Sequence, residues 1–234
     1  MKNMDYAKNY ERCCLEKTSA FQRLFIGVLS KKAAQFGQRG HKIWSLKWVL
    51  DEYFAGRTGL RVLDCGAWNG WFLSYRSPAV QQRIALDFDS YYAKELKSQG
   101  IDFVLADMER GFIPLAANSI DLLAMTSTLE HLNCPEKIAA EIRRVLKPGG
   151  IVFITVPDIM KYKFRFWNDI THKRPFTHRS MLFLFETHGM TTIELCAYNH
   201  NLFIAGNLFP REIHRFLMRL RGDAILYVGR KPEA

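Results

Sequence analysis

The 234-residue sequence predicts an α/β fold, a parallel sheet covered by helices on both faces, and three observations predict it. From residue 60 onward, short β-rich runs alternate with amphipathic segments of helical length. The short runs are almost continuously apolar, as strands are when both of their faces are buried. The chain also lacks an internal repeat, a low-complexity tract or a Pro/Ser-rich linker, so one compact domain accounts for it.

Seven runs are candidate strands: RVLDC (61–65), RIALD (83–87), DFVLA (102–106), SIDLLAMT (119–126), GIVFITV (150–156), TTIELCAY (191–198) and AILYVG (224–229). Pro135 to Leu146 reads as a helix with Arg143, Arg144 and Lys147 at its end, stopped by Pro148-Gly149-Gly150. Two segments fall outside the alternation. Residues 1–55 are expected to form an N-terminal helical cap, with Phe21, Leu24, Phe25, Val28 and Leu29 at helical spacing, ahead of a main domain over 56–234. A basic amphipathic insertion is expected at about 202–222, where Phe209, Ile213, Phe216, Leu217 and Leu220 form an apolar stripe beside Arg211, Arg215 and Arg219.

The net charge of +10 is unevenly spread. Residues 1–42 hold nine Lys/Arg against three Asp/Glu, whereas residues 43–156 hold 12 against 13, so the basic excess belongs to the flanks. Such flanks steer anionic partners: phosphorylated or acidic small molecules, nucleic acid or an anionic membrane face. The first twelve residues carry five charges and no apolar run approaches the length of a membrane span, so a cytoplasmic protein is expected. The five cysteines are odd in number and form no CxxC pair, which argues against a disulfide framework and a zinc ribbon.

In an open α/β sheet, ligands bind beyond the carboxyl ends of the strands, so the informative residues sit just after each strand. After the first strand, VLDCGAWNGWF (62–72) places Asp64 at the strand end, with Gly66 and Gly70 allowing a tight turn into a helix whose amides face the ligand. Asp87 follows the second strand, where a carboxylate accepts from both ribose hydroxyls of a nucleoside. Asp107 and Met108 follow the third, an acceptor and a soft apolar side chain suited to an adenine edge and face. A nicotinamide fingerprint fits less well, because Trp71 occupies its third glycine position and Asp107 has no role in it.

With these motifs in order, the chain resembles the class I S-adenosylmethionine (SAM) dependent methyltransferases over roughly residues 60–190. The resemblance rests on VLDCGAWNG, IALDFD (84–89), LADMERGFIPLAANSIDLLAMTSTLEHL (105–132) and EIRRVLKPGGIVFITVP (141–157). It implies a Rossmann-like seven-stranded, mostly parallel sheet with an antiparallel last strand, and SAM as cofactor. It further implies that Asp64, Gly66 and Gly70 surround the methionine part, Asp87 the ribose, and Asp107 with Met108 the adenine; Trp68, Phe88 and Thr126 are further cofactor-binding candidates. Trp68 departs from the pattern, standing where the family usually has its middle glycine.

Methyl transfer from a sulfonium needs alignment and exclusion of water, and a base only where the acceptor loses a proton. His131, with Glu130 before it in TLEHL, and His172, in WNDITHKRPFTHR (167–179), follow the fourth and fifth strands and are the expected catalytic residues. Some O-methyltransferases of the family bind a divalent ion through Glu-x-x-Glu-His. Here Ser127 occupies the first position, so no metal is expected, although Glu130, His131 and His172 remain a ligand set suited to Zn²⁺, Mn²⁺ or Co²⁺. The expected function is O-methylation of an anionic small molecule or glycan. RNA methylation and a non-catalytic SAM-fold binding module are the alternatives, with weak peripheral membrane contact as a further partner.

Overall fold

The computed structural model describes residues 30–199 and 222–233, with side chains from Lys42 onward. Residues 1–29 of the expected cap therefore lie outside the described residues. So does the expected insertion up to residue 221, including Arg211, Arg215 and Arg219.

Helix α1 (Ser30–Tyr53) leads into strand β1 (Leu60–Cys65), followed by β2 (Val80–Asp87), helix α2 (Ala93–Ser98), β3 (Asp102–Leu105) and β4 (Ile120–Thr126). Helix α3 (Pro135–Val145), β5 (Leu146–Pro157), the short helix α4 (Ile159–Tyr162), helix α5 (His178–Thr187), β6 (Thr191–Tyr198) and β7 (Ala224–Arg230) complete the chain. The seven strands form one sheet in the order β3-β2-β1-β4-β5-β7-β6. All neighbours are parallel except at β7, which runs antiparallel to both β5 and β6.

The apolar strands are explained by two cores. Along β1, Leu63 and Cys65 enter one core while Leu60 and Val62 enter the other, and on β4 Leu123 and Met125 face away from Leu122 and Ala124 in the same manner. Helix α3 closes the first core with Ile138, Ala139, Ile142 and Val145, and α5 adds Met181, Leu184 and Phe185. Helix α1 closes the second with Leu46, Trp48, Val49 and Leu50. At about 25 cal/mol per Å² of apolar surface, burial on both faces makes this sheet the rigid frame of the molecule.

The topology locates the crevice. The chain steps outward from β1 through β2 to β3, then returns to lay β4 on the opposite side of β1, so the switch point lies between β1 and β4. The opposite end of the sheet is pinned by the buried Asp121, which receives Lys147 Nζ at 2.7 Å, Arg57 Nη2 at 3.1 Å and the Arg61 amide at 3.0 Å.

One expected element does not form. Beyond the glycine loop the chain makes only a 3-10 turn, Phe72–Ser74, in place of the expected helix. Nine residues, 71–79, separate Gly70 from β2, and Pro78 stands among them, so no room remains for several helical turns. Phe72 and Leu73 are buried there, and Ser74 Oγ bonds back to the Gly70 carbonyl at 3.0 Å. Amides directed at a ligand here belong to the loop itself.

Candidate cofactor and acceptor site

The loop after β1 depends on its glycines. Gly66 has φ +75°, and a Cβ there would lie 2.4 Å from Thr128; Gly70 has φ +71°, and its Cβ would lie 2.2 Å from Leu96. Both conformations favour glycine, and both positions are too tight for a side chain. The Gly66 amide bonds the Leu86 carbonyl at 2.8 Å, fastening the loop to the end of β2.

Trp68 also adopts a left-handed conformation, φ +48°, which is uncommon for a bulky side chain. Its amide donates to Asp87 Oδ2 at 2.8 Å, and its half-buried ring packs edge-on against Trp71 and Tyr92, with centroids 5.2 and 5.9 Å away. The indole thus belongs to an aromatic group beside the loop.

Asp87 is buried at the end of β2 and takes a second bond, from the Asp89 amide at 3.1 Å. Burial raises its pKa, and the backbone donors of Trp68, Asp89 and Phe88 oppose that rise. Each carboxylate oxygen keeps a lone pair for a hydroxyl. Phe88 is 59 % exposed directly beside it. Asp64 is more deeply buried, its Oδ1 has no partner among the described residues, and desolvation pushes its pKa up to about 7 despite the cation of Lys42.

At the end of β3, Asp107 accepts from the Glu109 amide at 3.0 Å and faces Arg110 at 4.0 Å. Met108 turns into the first core, 7 % exposed, so its side chain is not an open platform for an adenine face. Leu105 and Phe88 are the exposed apolar side chains at these strand ends. Thr126, at the end of β4, is buried with an unpartnered Oγ1 among the described residues.

A second cluster forms where β4 ends and the chain after β5 returns. Glu130 is fully buried, neither carboxylate oxygen has a partner among the described residues, and desolvation raises its pKa to about 8. The rings of His131 and His172 stand 4.9 Å apart. His131 Nδ1 meets the Thr171 carbonyl at 3.1 Å and Thr171 Oγ1 at 2.9 Å, while that hydroxyl donates to Asp169 at 2.6 Å. His172 Nδ1 meets the Phe166 carbonyl at 2.7 Å.

A carbonyl only accepts, so each ring donates from Nδ1, and the neutral form of either ring has its lone pair on Nε2. Burial, followed by the neighbouring His172, lowers the pKa of His131 and favours the neutral ring. Glu130, His131 and His172 offer ligand atoms within 4.8 Å of one another, and these are the residue types that hold a divalent ion.

The structure therefore brings Asp64, Gly66, Trp68, Gly70 and Asp87 together at the ends of β1 and β2, and Glu130, His131 and His172 in the second cluster. Thr128 beside Gly66 connects the two, whereas Asp107 lies further along the edge. Lys42 on α1 carried no signal in the sequence, yet its charge acts on both Asp64 and Glu130. Only its place in the fold reveals it.

Sheet order, switch-point crevice and glycine loop define the SAM-dependent methyltransferase fold. Residues 63–154 match the model of the methyltransferase domain family. Over that stretch, less than half of its length, the chain is similar to that family. Among curated relatives, a demethylmenaquinone methyltransferase of Renibacterium salmoninarum is 37% identical over 94 residues, 39% of each chain. A malonyl-[acyl-carrier protein] O-methyltransferase of Buchnera aphidicola is 33% identical over 108 residues, 45% of this chain and 43% of that one. The chain spans less than half the length of the first curated relatives it matches. In fold, it resembles an S-adenosylmethionine dependent methyltransferase from Mesorhizobium loti, with a TM-score of 0.62 and 17% identity over 81% of this chain and 97% of that one. Among the described residues no helix is long and apolar enough to cross a membrane.

Proposed function

We propose that the chain methylates a hydroxyl of an anionic small molecule or glycan, using SAM as methyl donor. The observation that carries this reading is the pair of histidines beside Glu130, each held by a backbone carbonyl with Nε2 left as a base. The family match supports the cofactor, and the residues present fit it. Gly66 and Gly70 leave a cradle that a Cβ would fill, Asp87 retains lone pairs for two ribose hydroxyls, and the unpartnered Asp64 Oδ1 suits the cationic methionine end. Asp107 reads the adenine edge.

When bound, SAM supplies an electrophilic methyl group whose C–S electron pair leaves with sulfur. The chain aligns the acceptor oxygen and keeps water away. His131 or His172 takes the hydroxyl proton at Nε2, and Glu130 stabilises the imidazolium that results. Six Lys/Arg over residues 157–180 against Asp158 and Asp169 favour an acceptor carrying negative charge.

Calorimetry with SAM and its demethylated product tests the cofactor, and transfer of labelled methyl to the low-mass fraction of an extract tests the acceptor. Label in RNA would move the reading to nucleic acid, and SAM binding without any transfer would leave a binding module. A second reading, in which an ion held by Glu130, His131 and His172 activates the hydroxyl, is favoured by their proximity. Ser127 in place of a further carboxylate favours metal-free transfer, and turnover that survives chelation decides for it.

A further inference from the structure

The segment that carries His172 also carries a surface that the site does not use. Between β5 and α5, Ile170 is 95 %, Phe164 90 %, Met160 66 % and Trp167 52 % exposed, all within eleven residues. Lys161, Lys163 and Arg165 are exposed among them, and the one acid between Ile159 and Arg174, Asp169, is turned to Thr171. Four large apolar side chains held in water with three cations cost stability unless something covers them.

The segment is firmly held. Phe166 is fully buried against the His172 ring, 4.4 Å between centroids, and its carbonyl accepts from His172 Nδ1. The Lys173 and Arg174 amides both bond the Glu130 carbonyl, at 2.8 and 3.0 Å. The backbone is thus fixed to the acceptor cluster from within, while Phe164 and Ile170 on either side of the anchor point outward.

We propose that residues 159–170 dock the protein on an anionic lipid surface, placing the acceptor cluster at the membrane. Phe164, Ile170 and Met160 enter the acyl boundary, Trp167 lies at headgroup depth, and the three cations meet acidic headgroups. The aliphatic Ile170 and Met160 favour lipid over a nucleic-acid strand, which rewards ring faces and cations. Docking is independent of methyl transfer. The acceptor class it implies, an anionic amphiphile taken from the bilayer, rests on the methyltransferase reading.

Co-sedimentation of the full chain with phosphatidylcholine vesicles, with and without phosphatidylglycerol, tests the proposal at low and high salt. Wild type should pellet with acidic vesicles at low salt. Phe164→Ser/Ile170→Ser should lose most of this binding, and Lys161→Glu/Lys163→Glu/Arg165→Glu should weaken it by at least about fivefold for each lost cation. Circular dichroism and thermal melting of the variants report that they are folded. Wild type remaining in the supernatant, both variants pelleting like wild type, or retention on a single-stranded oligonucleotide in place of vesicles would overturn the proposal. Absence of SAM binding by wild type sinks the methyltransferase reading alone, because the vesicle result does not depend on it.

Discussion

Replacing Asp64 by Asn should stabilise the cofactor-free protein above neutral pH while weakening SAM. Asp64 is 2 % exposed, and burial raises its pKa from 3.8 to about 7. An acid whose folded pKa lies above its unfolded value binds more protons folded than unfolded between the two values, so stability falls as pH rises from about 4 to 7. A displacement of about three units, at about 1.4 kcal/mol each, sets a ceiling of about 4 kcal/mol on that loss. Asn keeps the shape and does not ionise. Chemical denaturation of both proteins from pH 4 to 8 should therefore show equal stability at the acid end, with a lead for Asp64→Asn growing to about 2–4 kcal/mol by pH 8. Parallel profiles would refute the reasoning, because Asp64 would then ionise as it does in the unfolded chain. A cationic ligand end restores the charged form, so wild-type SAM affinity should fall by up to about tenfold per pH unit below 7, a dependence the variant lacks.

Three further outcomes follow from the same geometry. Asp87→Ala should weaken SAM by about 1.5–3 kcal/mol in calorimetry, through loss of the ribose bonds and of the contact that fixes the Trp68 amide. Gly70→Ala should destabilise the fold by about 1–3 kcal/mol, since it adds a Cβ at φ +71° against Leu96; a neutral denaturation midpoint would show that the loop shifts freely. Asp121→Ala should cost about 1–3 kcal/mol of stability, because Lys147, Arg57 and the Arg61 amide lose their acceptor, and SAM affinity measured well below the melting range should stay unchanged at the other end of the sheet.

All seven strands were legible because a doubly covered strand leaves a dense apolar signature, as Leu122 to Met125 show by alternating between two cores. The order β7 before β6 was not legible from periodicity, which reports burial and not neighbours; the family resemblance supplied only the antiparallel direction of the last strand. The glycine loop was read for its φ freedom, and Gly66 and Gly70 have the expected positive φ, but the helix behind it was inferred from a pattern and not from the nine residues available. The direction of the Met108 side chain was not legible for a related reason. Its position after a strand end said nothing of whether the side chain turns toward the ligand or into the core. For the acceptor cluster, sequence position placed Glu130 and His131 after one strand and His172 after the next. The pairing of their rings depends on Phe166 and Thr171, contacts no spacing encodes.

The two raised carboxylates share a counter-charge on α1. Asp64 and Glu130 are both fully desolvated, and each leaves an oxygen without a partner among the described residues. A buried ionised carboxylate is costly without a counter-charge. The charge of Lys42 acts on both, so a single cation on α1 relieves the two carboxylates together. A positive charge brought to either carboxylate adds to the field of Lys42 at the other, which couples the two positions electrostatically. A cationic ligand end at Asp64 adds its own positive field to that of Lys42 at Glu130, favouring the ionised form. The buried acid is then charged when an imidazolium forms beside it, and the cost that both groups impose on the empty protein becomes binding energy for the ligands that satisfy them.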